Sequence, residues 1–184
     1  HDPDYFMRST PTVLPDGHII IGVEKIARKD GQEILSDEGS VFFTGRGVAP
    51  LPRVKTGRVY AAPTVTSDGR TVVIAGDDAV TEGGAVIVLR GAQIDTKIAI
   101  ASGSIASAAA SSTHLFVSTP DAFLTYDINT LAEVGRISWV GGGLQSPIIG
   151  PHGHVYAIAS NVLFVFPPPG NRPPAGGAII DPVV

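Results

Sequence analysis

Ala61-Ala62-Pro63-Thr64-Val65-Thr66-Ser67-Asp68-Gly69-Arg70-Thr71-Val72-Val73-Ile74-Ala75 is the stretch that decides the fold. It opens with small and β-prone residues, passes through a turn and ends in an unbroken apolar run. Asp68-Gly69 supplies the positive φ of a tight turn. Val72-Val73-Ile74 is apolar at successive positions, as a strand covered on both faces must be. The order recurs at Ser9-Thr10-Pro11-Thr12-Val13-Leu14-Pro15-Asp16-Gly17, ahead of His18-Ile19-Ile20-Ile21-Gly22-Val23. It recurs again at Gln145-Ser146-Pro147-Ile148-Ile149-Gly150-Pro151-His152-Gly153, ahead of His154-Val155-Tyr156-Ala157-Ile158-Ala159. The Pro-to-Gly offset is 6 in all three, and a degenerate copy at residues 105–113 keeps the small residues ahead of His114-Leu115-Phe116-Val117-Ser118.

Anchors at 17, 69, 113 and 153 give steps of 52, 44 and 40 residues. Steps of that size holding several short strands have the period of a propeller blade. Strands are expected at 62–66, 71–75, 85–89 and 97–101 in the second unit, and at 106–110, 115–118, 122–126 and 135–140 in the third. The first strand of each unit lies nearest the axis, where Ala, Ser and Thr let blades converge. The predicted fold is all-β: a β-propeller of about four blade-like, four-stranded repeats, either a four-bladed ring or half of a larger propeller. Units fall near 9–60, 61–104, 105–144 and 145–166, followed by a Pro- and Gly-rich tail or linker at 167–184. The last unit lacks a fourth strand unless residues 178–184 or residues 5–8 fill the place. Residues 24–36, interrupted by Gly31 and mixed in charge, read as a long inserted loop with at most one helical turn.

Composition narrows the function. A chain of 184 residues builds one sizeable core. Thirteen basic against 17 acidic residues, a net charge of −4 with no basic run, argue against nucleic acid as a partner. The absence of Cys excludes disulfides, zinc ribbons and thiol nucleophiles. No apolar stretch approaches a membrane span, and the charged-then-apolar pattern of a signal peptide is missing. The start at His1 and the Pro-rich exit give the expectation of a piece of a longer, bacterial, periplasmic or secreted protein.

Pro-x-Val, then Asp-Gly, then Val-Tyr-Ala or Val-Val-Ile resembles the pyrroloquinoline quinone (PQQ)-like and YVTN-type β-propeller repeats. The resemblance covers residues 9–166 and is strongest at 146–159 and 61–75. It implies a propeller, shared by non-catalytic scaffolds, secreted binding proteins and quinone-dependent dehydrogenases. Many such dehydrogenases carry adjacent cysteines and several Trp-bearing docking motifs. This chain has no Cys and only Trp139, so no quinone cofactor is expected.

His18, His114 and His154 occupy one position of three units, with Arg70 in the fourth. His152 and His154, two residues apart, are candidate ligands of a transition metal if both lie on a strand. The plainer reading is a turn followed by any polar residue. Asp77, Asp78 and Glu82 offer oxygens to Ca²⁺, against the plainer reading of a solvated acidic loop. Glu24, Arg28 and Lys29, with Asp77 and Asp78, mark enlarged loops suited to binding. Trp139 stands before Gly141-Gly142-Gly143, where a ring could stack on a ligand or pack between blades. No Gly-x-Ser-x-Gly turn surrounds Ser104, and no carboxylate pair is set for acid/base work. The expected function is therefore a non-catalytic module presenting loops to a protein or glycan partner. Self-association or a second segment would complete the propeller. The alternatives are a portion of a propeller enzyme, quinone-dependent oxidoreductase or hydrolase, and a metal-stabilised module.

Overall fold

The computed structural model describes residues 5–29, 32–45, 47–49, 51–76, 83–139, 142–143 and 145–168, with the backbone alone at residue 5 and residues 26–38. These residues form four antiparallel sheets and no helix. The first holds β1 (Tyr5–Met7), β2 (Thr12–Val13), β3 (Ile19–Lys29), β4 (Gln32–Thr44) and β5 (Val54–Lys55). The second holds β6 (Thr64–Val65), β7 (Thr71–Ala75), β8 (Gly84–Arg90) and β9 (Gln93–Ile100). The third holds β10 (Ala109–Ala110), β11 (His114–Ser118), β12 (Ala122–Asp127) and β13 (Glu133–Ser138). The fourth holds β14 (Ile148–Ile149), β15 (Val155–Ala159) and β16 (Val162–Phe166). In the last three sheets each strand pairs with the next in sequence, the up-and-down meander of a propeller blade.

The turn from first to second strand is built alike in three blades. Gly17, Gly69 and Gly153 have φ of 89°, 81° and 78°, and each N–H donates to the carbonyl three residues back, on Leu14, Thr66 and Gly150. A side chain with a Cβ is strained there, which is why the offset is held. In the third blade Ala110 pairs with Leu115, five residues on, where Val65 pairs with Thr71, six on. That turn is one residue shorter, so Ala108 rather than Ser107 stands at the Pro63 position.

Two sequence expectations are corrected, one of them at the start of the chain. Residues 5–8 do not complete the fourth blade. Phe6 pairs with Glu24 and Met7 with Val23, while Thr12 pairs with Ile20 on the same edge of β3. β1 and β2 are thus one inner strand of the first blade, interrupted at residues 9–11. Pro11 has no N–H to give, and the Ser9 hydroxyl accepts from the Gly22 N–H at 2.7 Å instead. The fourth sheet has three strands, and residues 178–184 lie outside the described residues. Residues 24–36, expected as a loop, are hairpin: β3 runs 11 residues where β7 runs 5, with Ile26 paired to Leu35 and Lys29 to Gln32. The six extra residues extend the blade by about 20 Å. Between Glu24 and Ile26 the register shifts, and residues 36–38 oppose Lys25 alone, a bulge that re-aims the arm.

The core lies between blades. Ile20, Val41 and Phe43 of the first meet Val73, Ile87 and Leu89 of the second. Val72, Ile74, Val86 and Val88 of the second meet Leu115, Val117, Leu124 and Tyr126 of the third. Phe116 and Phe123 of the third meet Val155 and Ala157 of the fourth. β7 is buried at every residue, as its apolar run requires, whereas β15 alternates. At the axis the inner strands are joined by side-chain hydrogen bonds: Thr12 Oγ1 donates to the Pro63 carbonyl and Thr64 Oγ1 to the Ala108 carbonyl, both at 2.7 Å. The Ser107 N–H donates to Ser146 Oγ at 3.0 Å. Among the described residues no apolar cluster joins the fourth sheet to the first.

Because blades are held by face-to-face packing, Ile74→Ala, at 1% exposure between the second and third, should destabilise by about 3 kcal/mol. Val134→Ala on an outer strand, 56% exposed, should stay within about 0.5 kcal/mol. Urea unfolding of the two variants checks this; equal effects would place the core elsewhere.

Candidate functional site

The position after each turn, occupied by His18, Arg70, His114 and His154, serves packing and local bonding. His18 Nε2 lies 2.8 Å from the Ala49 carbonyl oxygen, and the His18 N–H donates to Asp16 Oδ1 at 3.0 Å. Asp16 Oδ2 is 3.0 Å from His18 Nδ1 but out of line for a hydrogen bond, so that contact is electrostatic. First the Ala49 carbonyl and then Asp16 raise the His18 pKa above its ordinary value, while the His18 N–H and ring lower that of Asp16. Arg70 is tied to Asp68 Oδ2 at 2.7 Å and reaches the next blade, donating to the Ile128 carbonyl at 2.6 Å. His114 is 2.8 Å from Thr113 Oγ1 and stacks near Phe116.

His152 sits exposed in the turn itself and His154 half-buried at its exit, so the two are not neighbours on one strand face. Among the described residues no three His, Asp or Glu side chains converge on a metal position. Asp77, Asp78 and Glu82 lie outside the described residues. Arg28 and Lys29 fall on the arm, in register with Glu33 and Gln32. Trp139 is half-buried at the boundary of the third and fourth blades. Its Nε1–H donates to the Thr119 carbonyl at 2.9 Å, and its ring tilts against Phe123 and Phe164.

At the end of the molecule that carries the arm, sequence reading missed a charged cluster. Glu24 is fully buried. Arg8 Nε donates to its Oε2 at 3.1 Å, the Tyr60 hydroxyl donates to Oε1 at 3.2 Å, and Arg58 Nε stands 3.7 Å from Oε1. Burial, and then the Glu24 charge, push the Tyr60 pKa up, so the phenol keeps its proton and remains a donor. Arg8 comes from the end of β1, Glu24 from β3 where the blade gives way to the arm, and Arg58 and Tyr60 from the crossover into the second blade. Arg8 is 43% exposed, and its guanidinium carbon lies over the Phe6 ring, 5.7 Å from the centroid. No local signal in sequence unites positions 8, 24, 58 and 60.

Beside the cluster, between the first two blades, opens a cleft of about 450 Å³ lined by Thr56, Arg58, Gly76, Gly84, Lys97 and Ile100 among others. Its described lining carries two cations and no carboxylate. Arg58 belongs to both features, so occupancy of the cleft bears on the Glu24 cluster.

No protein-family model matches the chain, and no curated protein is similar to it in sequence. Among solved structures it is similar to a luciferin-regenerating enzyme, with a TM-score of 0.52 at 10% identity over 88% of this chain. The match takes in 56% of that enzyme's chain, so this chain spans little more than half its length. A protein of unknown function from Bacteroides caccae matches at a TM-score of 0.45, 14% identity, 85% of this chain and 71% of that one. The WD40 β-propeller domain of Doa1 matches at 0.36, 8% identity, 89% of this chain and 83% of that one. The likeness to the first is one of fold.

Two consequences can be measured. Glu24→Ala leaves two guanidiniums without their buried carboxylate and should cost about 3 kcal/mol, whereas Arg8→Ala, at the exposed side, should cost about 1 kcal/mol or less; chemical denaturation reads both. For His18 the folded pKa is raised, so its stabilisation is complete below the unfolded value and fades as pH climbs through the folded one. The melting-temperature gap between the wild type and His18→Asn should therefore be wider at pH 5.5 than at pH 8.5, and a gap that widens with pH would refute the assignment.

Proposed function

We propose that the chain is a non-catalytic propeller module that docks a protein partner through the β3–β4 arm, with the Arg58–Lys97 cleft at the arm's base as a second contact. The arm carries this reading. β3 outruns β7 by six residues, so this hairpin continues beyond the length that the second blade's second strand reaches. Binding on such scaffolds is usually carried by extensions of this kind. Hydroxyl-rich glycans are the other class of ligand the cleft chemistry favours. In this reading the repeats are of the PQQ-like or YVTN type, the protein works in the periplasm or outside the cell, and self-association or a second segment completes the propeller.

A second reading, a portion of a propeller enzyme completed by other segments, is favoured by one observation: a fully buried carboxylate ringed by Arg8, Arg58 and Tyr60. In that reading the cluster positions substrate, and the reacting groups lie partly on other segments.

Replacing residues 26–35 with Asn-Gly should leave the melting temperature of the blades within about 2 °C while abolishing partner capture. A photo-crosslinking residue at position 28 should join a discrete protein that the same residue at Ser138 does not reach. Identical crosslinking at both positions would sink the arm as the docking element, and turnover of alcohols, sugars or esters by the purified chain would favour the enzyme.

A further inference from the structure

The repeat geometry assigns each blade two different apolar faces. Positions equivalent to Thr71 and Val73 look back toward the preceding blade: Leu115 and Val117 pack on the second blade, and Val155 and Ala157 on the third. Positions equivalent to Val72 and Ile74 look forward: Ile20 packs on the second blade, Val72 and Ile74 on the third, and Phe116 on the fourth. Among the described residues two faces have no partner blade, although at one end of the first Val23 and Ser40 are buried and the Arg53 guanidinium lies 5.7 Å from the Phe42 ring centroid. The backward face of the first blade carries Ile19, Ile21 and Phe42, with Phe42 41% exposed. The forward face of the fourth carries Ile148, Tyr156, Ile158 and Leu163, with Ile148 65% and Ile158 44% exposed. One is the kind of surface that the other meets at every internal junction.

We propose that a second copy of this chain supplies the missing contacts, the forward face of each fourth blade seating on the backward face of the other copy's first blade, so that two chains close one eight-bladed ring. The occupant follows from continuity with the three internal junctions and from closure. The contact is head to tail, so it must close or polymerise. Propeller rings typically hold 4 to 8 blades. Among the described residues the four blades do not close on themselves; two copies of them give a ring within that range, and three exceed it. The new junction lacks the axial hydrogen bond, because Ile148 stands where Thr12 and Thr64 donate. It therefore rests on apolar contact, and its strength should be nearly independent of salt.

Light scattering on the purified chain should give twice its 19.0 kDa, falling toward one chain on dilution. Ile21→Glu spoils only the backward face and Ile158→Lys only the forward face, yet each touches both junctions of the ring. Each variant alone should be monomeric, its dimer dissociation constant raised about 100-fold or more. Mixed in equal amounts, the two variants should recover a dimer. One of its junctions is wild-type and the other sets Glu against Lys. A monomeric wild type at all concentrations, as expected if further blades of a longer chain cover these faces, overturns the proposal regardless of how the variants fold. So does an open-ended polymer, or a dimer that survives in either variant alone, since like faces would then be pairing.

Discussion

Where blades meet the axis, the backbone of each inner strand must approach the next closely enough for a threonine hydroxyl to reach a carbonyl. Thr12 to Pro63 and Thr64 to Ala108, both at 2.7 Å, set that distance. A bulky residue at either end would hold the strands apart, and the second strands, one position further out, would lose the contact that buries Ile20 against Val73 and Val72 against Leu115. The acceptor explains the proline. A residue whose N–H is absent leaves no orphan donor on the crowded axial side, and its carbonyl is free for the neighbour's hydroxyl. Where the third blade has Ala108 in place of proline and Ala109 in place of threonine, the next junction changes chemistry, and Ser146 accepts from the Ser107 N–H.

The repeat was readable because its signals are local. Asp68-Gly69 and Gly153 mark turns whose left-handed φ is observed, and apolar runs mark second strands that are buried on both faces in the interior blades. The arm was misread for a physical reason. Residues 24–36 show no apolar–polar alternation, and mixed charge with one glycine reads the same as a loop. One signal was present: Asp30-Gly31, the two residues between Lys29 and Gln32, is a favoured hairpin dipeptide. Residues 5–8 were misplaced because a strand edge accepts any chain with free N–H and C=O groups, and only the register to Val23–Lys25 tells which edge is filled.

The charged cluster had no signature of either kind. Glu24 stands where the second blade has Gly76, the third Pro120 and the fourth Ser160, the places at which those blades turn back. The first blade runs straight through as strand, with Glu24 paired to Phe6 and Gly39, and the carboxylate at that point is desolvated. Two arginines and a phenol from separate segments offset that desolvation, and they fix how the inner strand, the arm and the crossover meet. Replacing a buried ion group by apolar residues is often harmless to stability in general. Its retention here is more economically explained by geometry, because an apolar cluster would not define the angle at which the arm departs.

The first blade also carries an argument about its own surroundings. Ile19-Ile20-Ile21 is as apolar on both faces as Val72-Val73-Ile74, yet among the described residues Ile20 is fully buried while Ile19 and Ile21 are half-buried and Phe42, on their face, is 41% exposed. A blade that ended the molecule would be expected to carry polar residues on its outer face, as end units of repeat proteins do. Ser40 and Thr44 alone interrupt this face on β4, and Ile21 pairs with Phe42 at its centre. On the fourth blade the outward residues Ile158 and Leu163 pair in the same way. The composition of both end blades is that of interior blades. Among the described residues, the burial that these apolar runs call for exceeds what the four sheets provide among themselves.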